Sequence, residues 1–423
     1  MPNALSTTLS HVYPLGSAIN AAGHLELGGC DTLELAKQFG TPAYIVSEDD
    51  LRARARAFMD GIRTRSLAAD VLFASKAFPC TAVYRLLAEE GLACDVASGG
   101  ELALALKGGF DPKRVYFHGN AKSLAELRFA MQAGVGHIVL DSLDDLTRTE
   151  QTAAELDLTQ EVLLRITPDV RGDTHAAIST GQADSKFGFG MAEAPQAIDQ
   201  AAASEHLKLV GLHCHIGSQL LQLEPFQRAV TELAKLGEFD VYNLGGGLGV
   251  AYTEGQEPPS IADYLATLLD AANKELNARK ILIEPGRALV ANSTVTLYEV
   301  QTVKHNVSTW VGVDGGMSDN LRPMLYDAPY EVANAGRMNE TGGEPVILAG
   351  KHCESGDVIA RDVPLDDPQP GDILVTPATG AYGYAMANNY NGVPRPPVIF
   401  VSGGNPRVVV RRETYDDLSA RDV

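Results

Sequence analysis

The sequence predicts an α/β chain in two parts: a (β/α)8 TIM-type barrel over roughly residues 45 to 290, and an antiparallel β-sandwich or β-barrel domain. Three observations predict it. Eight short apolar runs recur along the first two thirds of the chain. Amphipathic helical stretches lie between them. After Arg287 the texture changes to Val, Thr and Ile runs separated by Gly, Pro, Asn and Asp.

The eight runs are Leu72–Ser75, Ala93–Ala97, Val115–His118, His137–Asp141, Val162–Ile166, Val210–His215, Val241–Leu244 and Ile281–Glu284. The first five are evenly spaced, and later gaps hold longer loops such as Asp169–Gly190. The intervening stretches include Ala82–Glu90, Glu101–Lys107, Leu124–Ala133, Leu143–Leu156, Pro225–Leu236 and Ile261–Leu276. Ser123-Leu-Ala-Glu126 is a capping box, and Ser142-Leu-Asp-Asp145 a weaker one. An open doubly wound sheet would rarely need eight such units. The β domain is expected to take residues 1–44 and 291–423, with strands at Thr294–Val303, Thr309–Val313, Pro345–Ala349, Asp372–Pro377 and Pro397–Arg411. The short runs Tyr13-Pro-Leu and His24-Leu-Glu-Leu are expected to join that domain as strands.

The 423 residues carry 34 Lys and Arg against 54 Asp and Glu, a net charge of −20. That balance argues against nucleic acid and anionic membrane as partners, since both need basic patches. Five scattered cysteines without a CxxC pair argue against a disulfide framework or zinc ribbon. No basic leader with an apolar core and no membrane-length apolar run is read, so the expected compartment is the reducing cytoplasm.

In such a barrel, chemistry collects at the C-terminal ends of the strands. Lys76 closes the first run, where an apolar setting would favour an uncharged, nucleophilic amine. A plain strand-end lysine reaching into water is the alternative. The other ends carry Asp95 with Ser98, His118-Gly-Asn120, Asp141, Arg165, His215 with Ser218, Gly245-Gly-Gly247 and Glu284-Pro285-Gly286-Arg287. Consecutive glycines let backbone N–H groups approach an anion, so Gly246, Gly247 and the Glu284–Arg287 turn suit a phosphate cup with Ser218 as a further donor. A tight structural turn accounts for the glycines equally well. His213-Cys-His215 places two imidazoles on one strand face. No third and fourth ligand accompanies them, so no metal is expected. His213 reads as a core histidine, and His215 as a ring stacked on a flat ligand. Glu284 could be a structural ion pair. A carboxylate facing a pyridine nitrogen would instead keep it protonated and electron-withdrawing. A lysine, a phosphate cup, a stacking imidazole and a pyridinium partner together point to pyridoxal 5'-phosphate. In the β domain, Cys353 could be a small buried hydrophobe, but Glu354 and Asp357 beside it argue for a polar setting. Tyr382 sits between two glycines, which would let its ring approach a ligand.

Nine motifs in order, between about Ala43 and Asn391, resemble the diaminopimelate decarboxylases, in the pyridoxal-phosphate group that pairs an alanine-racemase-like barrel with a β domain. They are Phe73-Ala-Ser-Lys-Ala77, Asp95-Val-Ala-Ser-Gly-Gly-Glu101, His215-Ile-Gly-Ser-Gln219, the glycine loop, Glu284-Pro-Gly-Arg287, Asp314-Gly-Gly-Met317, Arg322-Pro-Met-Leu-Tyr326, Cys353-Glu-Ser-Gly-Asp357 and Gly380-Ala-Tyr-Gly-Tyr384. The resemblance implies that Lys76 holds the cofactor covalently, that His215 stacks on its ring and that Glu284 meets its nitrogen. It implies that Ser218, Gly247, the Glu284–Arg287 turn and Tyr382 hold the phosphate, with Asp95 and Arg165 in support. Arg287, Arg322, Tyr326, Glu354 and Tyr382 would bind substrate, and Cys353, with Lys76 as alternative, would return the proton. A homodimer is implied, with Cys353 and Glu354 supplied by the partner chain. Tyr330 departs from the pattern, standing where a histidine is expected.

The implied reaction is decarboxylation of meso-2,6-diaminopimelate to L-lysine. The arginines suit a distal carboxylate and Glu354 suits an ammonium. The runner-up is decarboxylation of ornithine, lysine, carboxynorspermidine or a specialised-metabolism amino acid. A racemase would need two opposed bases at the α-carbon. A catalytically dead regulatory homologue would not need to retain every chemical position.

Overall fold

The computed structural model describes residues 9–65, 68–170, 185–340 and 342–423. The chain divides into two compact units. One comprises Arg54–Val250 and Pro258–Leu289, the other Met1–Ala53, Ala251–Glu257 and Val290–Val423.

The first unit is a closed barrel of eight parallel strands: Ala69–Ala74, Ala93–Val96, Val115–Phe117, His137–Leu140, Gln160–Thr167, Leu207–Cys214, Val241–Asn243 and Lys280–Ile283. We number these one to eight. Strand eight pairs with strand one through Leu282↔Asp70, which closes the ring. All eight runs read from the sequence are present, shifted by a few residues at most. Closure follows from the side-chain pattern. Leu72, Ala93, Tyr116, Val139, Leu163, Val210, Val241 and Leu282, one from each strand, meet in a single interior cluster. Burial on both strand faces explains why these runs are continuously apolar rather than alternating. Gly211 lets strands six and seven approach, because a Cβ there would lie 1.9 Å from the Val241 carbonyl oxygen.

Several of the helices between strands begin where the sequence supplies caps. Ser123 and Glu126 form the reciprocal box, and Ser142 accepts from the Asp145 N–H. The helix Ala194–Ala203, between strands five and six, was not among the helical stretches read from the sequence. Of the Asp169–Gly190 loop, residues 171–184 lie outside the described residues, and Phe189–Gly190 adds a short strand beside Ile166–Thr167.

The second unit is built around the long strand Thr294–His305. Its first half pairs with Ala43–Ser47 and Ile373–Thr376, its second half with Thr309–Val313. Glu344–Ala349 and Val358–Leu365 extend one side, and the hairpin Val398–Ser402/Asn405–Val410 extends the other. The sheet is mostly antiparallel, with two parallel pairings, Thr309–Val313 on Glu344–Ala349 and Val398–Ser402 on Ala43–Ser47. Ala43–Ser47 is therefore a strand of this unit, and the barrel unit starts at Arg54, later than the residue 45 read from the sequence. Tyr13-Pro-Leu is a turn, not a strand. Leu25–Leu27 is a strand, but in its own sheet with Ala18–Ile19 and Cys30–Asp31. Leu25 and Leu27 still pack into one core with Ile45, Val295, Val375 and Ile399.

Inside this unit Asp319 is buried, accepting from Tyr298 Oη at 2.5 Å and the Gly316 N–H at 2.8 Å. Burial pushes its carboxyl up to about 7 against the pull of both donors. A raised carboxyl favours the folded state while protonated, so its contribution is whole below the ordinary value of 3.8 and drains away as pH rises to about 7. Asp319→Asn is expected to flatten the fall in stability over that window, by an amount on the order of 4 kcal/mol. Urea unfolding of both proteins at pH 4 and pH 7 measures it, and parallel curves would exclude the effect.

Candidate active site

Lys76 lies on a single 3₁₀ turn, Ser75–Ala77, directly after strand one. Its side chain is exposed, so the shielding expected from its apolar run is not what the fold provides. The turn is held by Glu101, whose Oε2 accepts from Ser75 Oγ at 2.8 Å and from the Ala97 N–H at 2.7 Å. That carboxylate ties the ends of strands one and two together. Asp95, at the end of strand two, is buried. Burial and then the Glu284 charge push its carboxyl well above the ordinary value, with Lys76 pulling the other way.

His215 follows strand six. Burial, then the charges of Lys76 and Arg165, hold its imidazole well below the ordinary value, so it is neutral. Its Nδ1 accepts from the Gly246 N–H at 3.4 Å. The three glycines of Gly245–Gly247 are required by packing. A Cβ on Gly246 would lie 2.0 Å from the Glu284 carbonyl oxygen, and one on Gly247, which has φ +115°, 2.4 Å from that of Gly217. Ser218 Oγ accepts from Arg287 Nη2 at 2.8 Å, bringing two predicted phosphate-end residues into direct contact. Gly286 packs against Ala74 and Ala77, on either side of Lys76 in sequence. The serine, the glycine loop and the Glu284–Arg287 turn thus converge around the ends of strands six, seven and eight.

Glu284 is buried. Its Oε1 accepts from Asn243 Nδ2 at 2.6 Å and lies 2.9 Å from His118 Nε2, while Oε2 lies 3.2 Å from His213 Nε2. Burial alone would raise this carboxyl. His118 and His213 outweigh it and hold the group well below the ordinary value. Of the two imidazoles of His213-Cys-His215, His213 meets Glu284 and His215 accepts from the glycine loop. Sequence reasoning named His118 as a strand-end residue but did not connect it, or Asn243, to Glu284.

Arg165 lies near the end of strand five and is buried. It lies 3.6 Å from Asp141 and stacks over the Phe187 ring at 4.3 Å. Lys122 is also buried, with Nζ on Asp145 at 2.6 Å and on the carbonyls of Gly119 and Val139, each at 2.7 Å. From sequence, Lys122 had no role and Asp145 only a place in the weaker capping box.

In the second unit, Arg322 is buried and stacks over Tyr252 at 4.2 Å. Its Nη1 donates to the Tyr330 hydroxyl, so the residue that departs from the expected pattern is a partner of the arginine. Arg322 Nε has no hydrogen-bond partner among the described residues. Tyr326 closes the short helix Arg322–Tyr326. Cys353 is exposed, not a buried hydrophobe, and its N–H donates to Asn391 Oδ1 at 2.9 Å. The turn it shares with Glu354 is stiffened by buried Asp357, which accepts from the N–H groups of Met317 and His352 and contacts His352 Nδ1 at 2.7 Å. Tyr382 has φ +65°, a left-handed backbone that a bulky residue seldom adopts. Its flanking glycines answer to packing: a Cβ on Gly380 would lie 1.8 Å from the Val290 carbonyl oxygen, and one on Gly383 2.5 Å from that of Thr379.

The barrel residues fit pyridoxal phosphate. They offer an accessible amine, a neutral imidazole, a glycine cradle that any Cβ would fill, and a buried ionised carboxylate. Residues 48–291 match the family described as pyridoxal-dependent decarboxylase, pyridoxal binding domain. Diaminopimelate decarboxylase from Bacillus subtilis is 44% identical over 422 residues, covering 96% of each chain. That from Mycobacterium bovis is 43% identical over 453 aligned positions, covering 100% of both. The crystal structure of diaminopimelate decarboxylase from M. jannaschii in co-complex with L-lysine superposes with a TM-score of 0.89 at 35% identity, covering 96% of this chain and 97% of that one.

Proposed function

The chain belongs to the diaminopimelate decarboxylases, within the pyridoxal-dependent decarboxylase family, and from that premise we propose how its residues divide the work. The reaction is decarboxylation of meso-2,6-diaminopimelate to L-lysine and carbon dioxide, the last step of lysine biosynthesis, with pyridoxal 5'-phosphate as cofactor. When bound, the cofactor draws off the electron pair left on the α-carbon as carbon dioxide departs.

Lys76 supplies the amine that holds the cofactor covalently. His215 would lie against the ring face, and Glu284 would face the ring nitrogen. Ser218, Gly246, Gly247, the turn Glu284-Pro285-Gly286-Arg287 and Tyr382 hold the phosphate end, with Asp95 and Arg165 supporting the ring and Lys76. Arg287, Arg322, Tyr326, Glu354 and Tyr382 orient the substrate. Cys353 Sγ holds the proton returned to the α-carbon, with Lys76 Nζ as the second donor. A homodimer is part of this proposal, each copy lending Cys353 and Glu354 to its partner. The exposed Cys353 on a stiffened turn supports that role. The five cysteines are all free, which supports the cytoplasm as compartment. No helix among the described residues is long and apolar enough to cross a membrane.

The observation that carries the substrate assignment is Arg322, a buried guanidinium with an unpartnered Nε proton and an aromatic bed. Such a group answers a carboxylate, and diaminopimelate has one at its far end where lysine and ornithine have none. A substrate lacking it leaves the arginine unpaired, so discrimination by kcat/KM of at least about 10³-fold is expected. Purified enzyme is offered meso-diaminopimelate, L-lysine, L-ornithine and carboxynorspermidine, and carbon dioxide is scored. Comparable release from lysine or ornithine would overturn the assignment.

A further inference from the structure

We propose that His118, His213 and Asn243 are positioning residues that clamp the Glu284 carboxylate in the one orientation that leaves an acceptor site for a ring nitrogen. The inference rests on the reading of Glu284 as the ring-nitrogen partner. An isolated carboxylate buried this deeply would be costly and would take up a proton. Three side chains prevent that. Asn243 Nδ2 donates to Oε1 at 2.6 Å, His118 Nε2 lies 2.9 Å from the same oxygen, and His213 Nε2 lies 3.2 Å from Oε2. The two imidazoles and the carboxylate bring these atoms within 4.8 Å of one another.

The three partners come from different strands. His118 directly follows strand three, His213 lies on strand six and Asn243 ends strand seven. The two rings stand 4.7 Å apart at 71°, so they approach the carboxylate from different directions. Rotating Glu284 about its last bond would break contacts to several strands at once. The partners are anchored too. The His118 N–H donates to the Val96 carbonyl at 2.7 Å, and Asn243 Oδ1 accepts from the Gly245 N–H at 3.0 Å. Burial holds the His213 imidazole down at about 4, so it is neutral and carries its single proton on Nε2. Its Nδ1 is buried without a partner among the described residues, and in that tautomer it carries no proton left unsatisfied. A carboxylate offers about four acceptor sites. Asn243 fills a site on Oε1, where His118 Nε2 stands at ion-pair distance without hydrogen-bond geometry, and His213 fills one on Oε2, which leaves an Oε2 site for the ring N–H.

The test compares His213→Leu, which removes the donor, with His213→Gln, which can restore one at similar reach. Apoprotein of each is titrated with pyridoxal phosphate and followed by visible absorbance. His213→Leu is expected to bind the cofactor about 10- to 100-fold more weakly. Its loaded fraction is expected to have an altered absorption maximum, because the protonation of the ring nitrogen changes. His213→Gln is expected to return to within about 3-fold of wild type with the wild-type spectrum. If His213→Leu does not fold by circular dichroism, the same comparison of His118→Leu with His118→Gln decides. A folded Leu variant with wild-type affinity, or with weaker binding but an unchanged spectrum, would overturn the clamp. Wild-type apoprotein that takes up no pyridoxal phosphate would overturn the functional reading, and the clamp with it.

Discussion

Lys76→Ala is expected to lose turnover of diaminopimelate by about 10⁴-fold or more, together with the visible absorbance of the loaded protein. Two structural facts make the expected loss so large. The first concerns a replacement amine. Lys122 is a buried lysine near the strand ends, and its Nζ is committed to Asp145 and two carbonyls. Pulling it free would strand a buried carboxylate, so it cannot stand in. The second concerns the fold. The Lys76 side chain is exposed while Ser75 and Ala77 are buried, so truncation removes chemistry without opening a cavity. Stability is expected to change by less than about 0.5 kcal/mol. Thermal unfolding, absorbance and carbon dioxide release on one preparation separate these effects. Undiminished activity in a colourless variant would end the covalent assignment.

Arg322→Ala is expected to cut kcat/KM for diaminopimelate by about 10²- to 10³-fold, the cost of leaving a charged substrate group unpaired. Cofactor loading should hold at the wild-type level. Arg322→Lys is expected to recover only part of the loss, because a point charge cannot reproduce a planar fork lying on the Tyr252 ring. The Tyr330 hydroxyl fixes one arm of that fork, which makes Tyr330 part of the arginine's setting rather than a stray substitution. Equal loss of cofactor loading and turnover in Arg322→Ala would count against a substrate role.

Much of the barrel was legible because its strands are buried on both faces and several of the helices between them carry caps. Burial writes an apolar run, and caps such as Ser123 with Glu126 mark its borders. Less legible was anything decided by pairing across long sequence distances. Ala43–Ser47 is as apolar as a barrel strand, and only its partners, Thr294–Leu297 and Val398–Val401, assign it to the other unit. Val358–Leu365 was not read as a strand, since Arg361 and Asp362 interrupt its apolar alternation. At the site, the residue types were readable from strand ends, but their pairings were not. His118 and Glu284 meet only because strands three and eight bound the same closed interior. The exposure of Lys76 was misjudged for a related reason: the apolar run ends at Ala74, and the turn that follows carries the side chain clear of it.

The fit that excludes a Cβ from Gly246, which would lie 2.0 Å from the Glu284 carbonyl oxygen, has a mechanical consequence. The glycine loop and the Glu284 peptide touch through backbone atoms, with the Glu284 N–H also donating to the Gly245 carbonyl at 2.7 Å. No rotamer change can absorb a displacement there. The part of the molecule that would grip one end of a flat ligand and the part that would grip the other end are therefore set at a fixed spacing, like the jaws of a locked caliper. A disturbance to either jaw is transmitted to both.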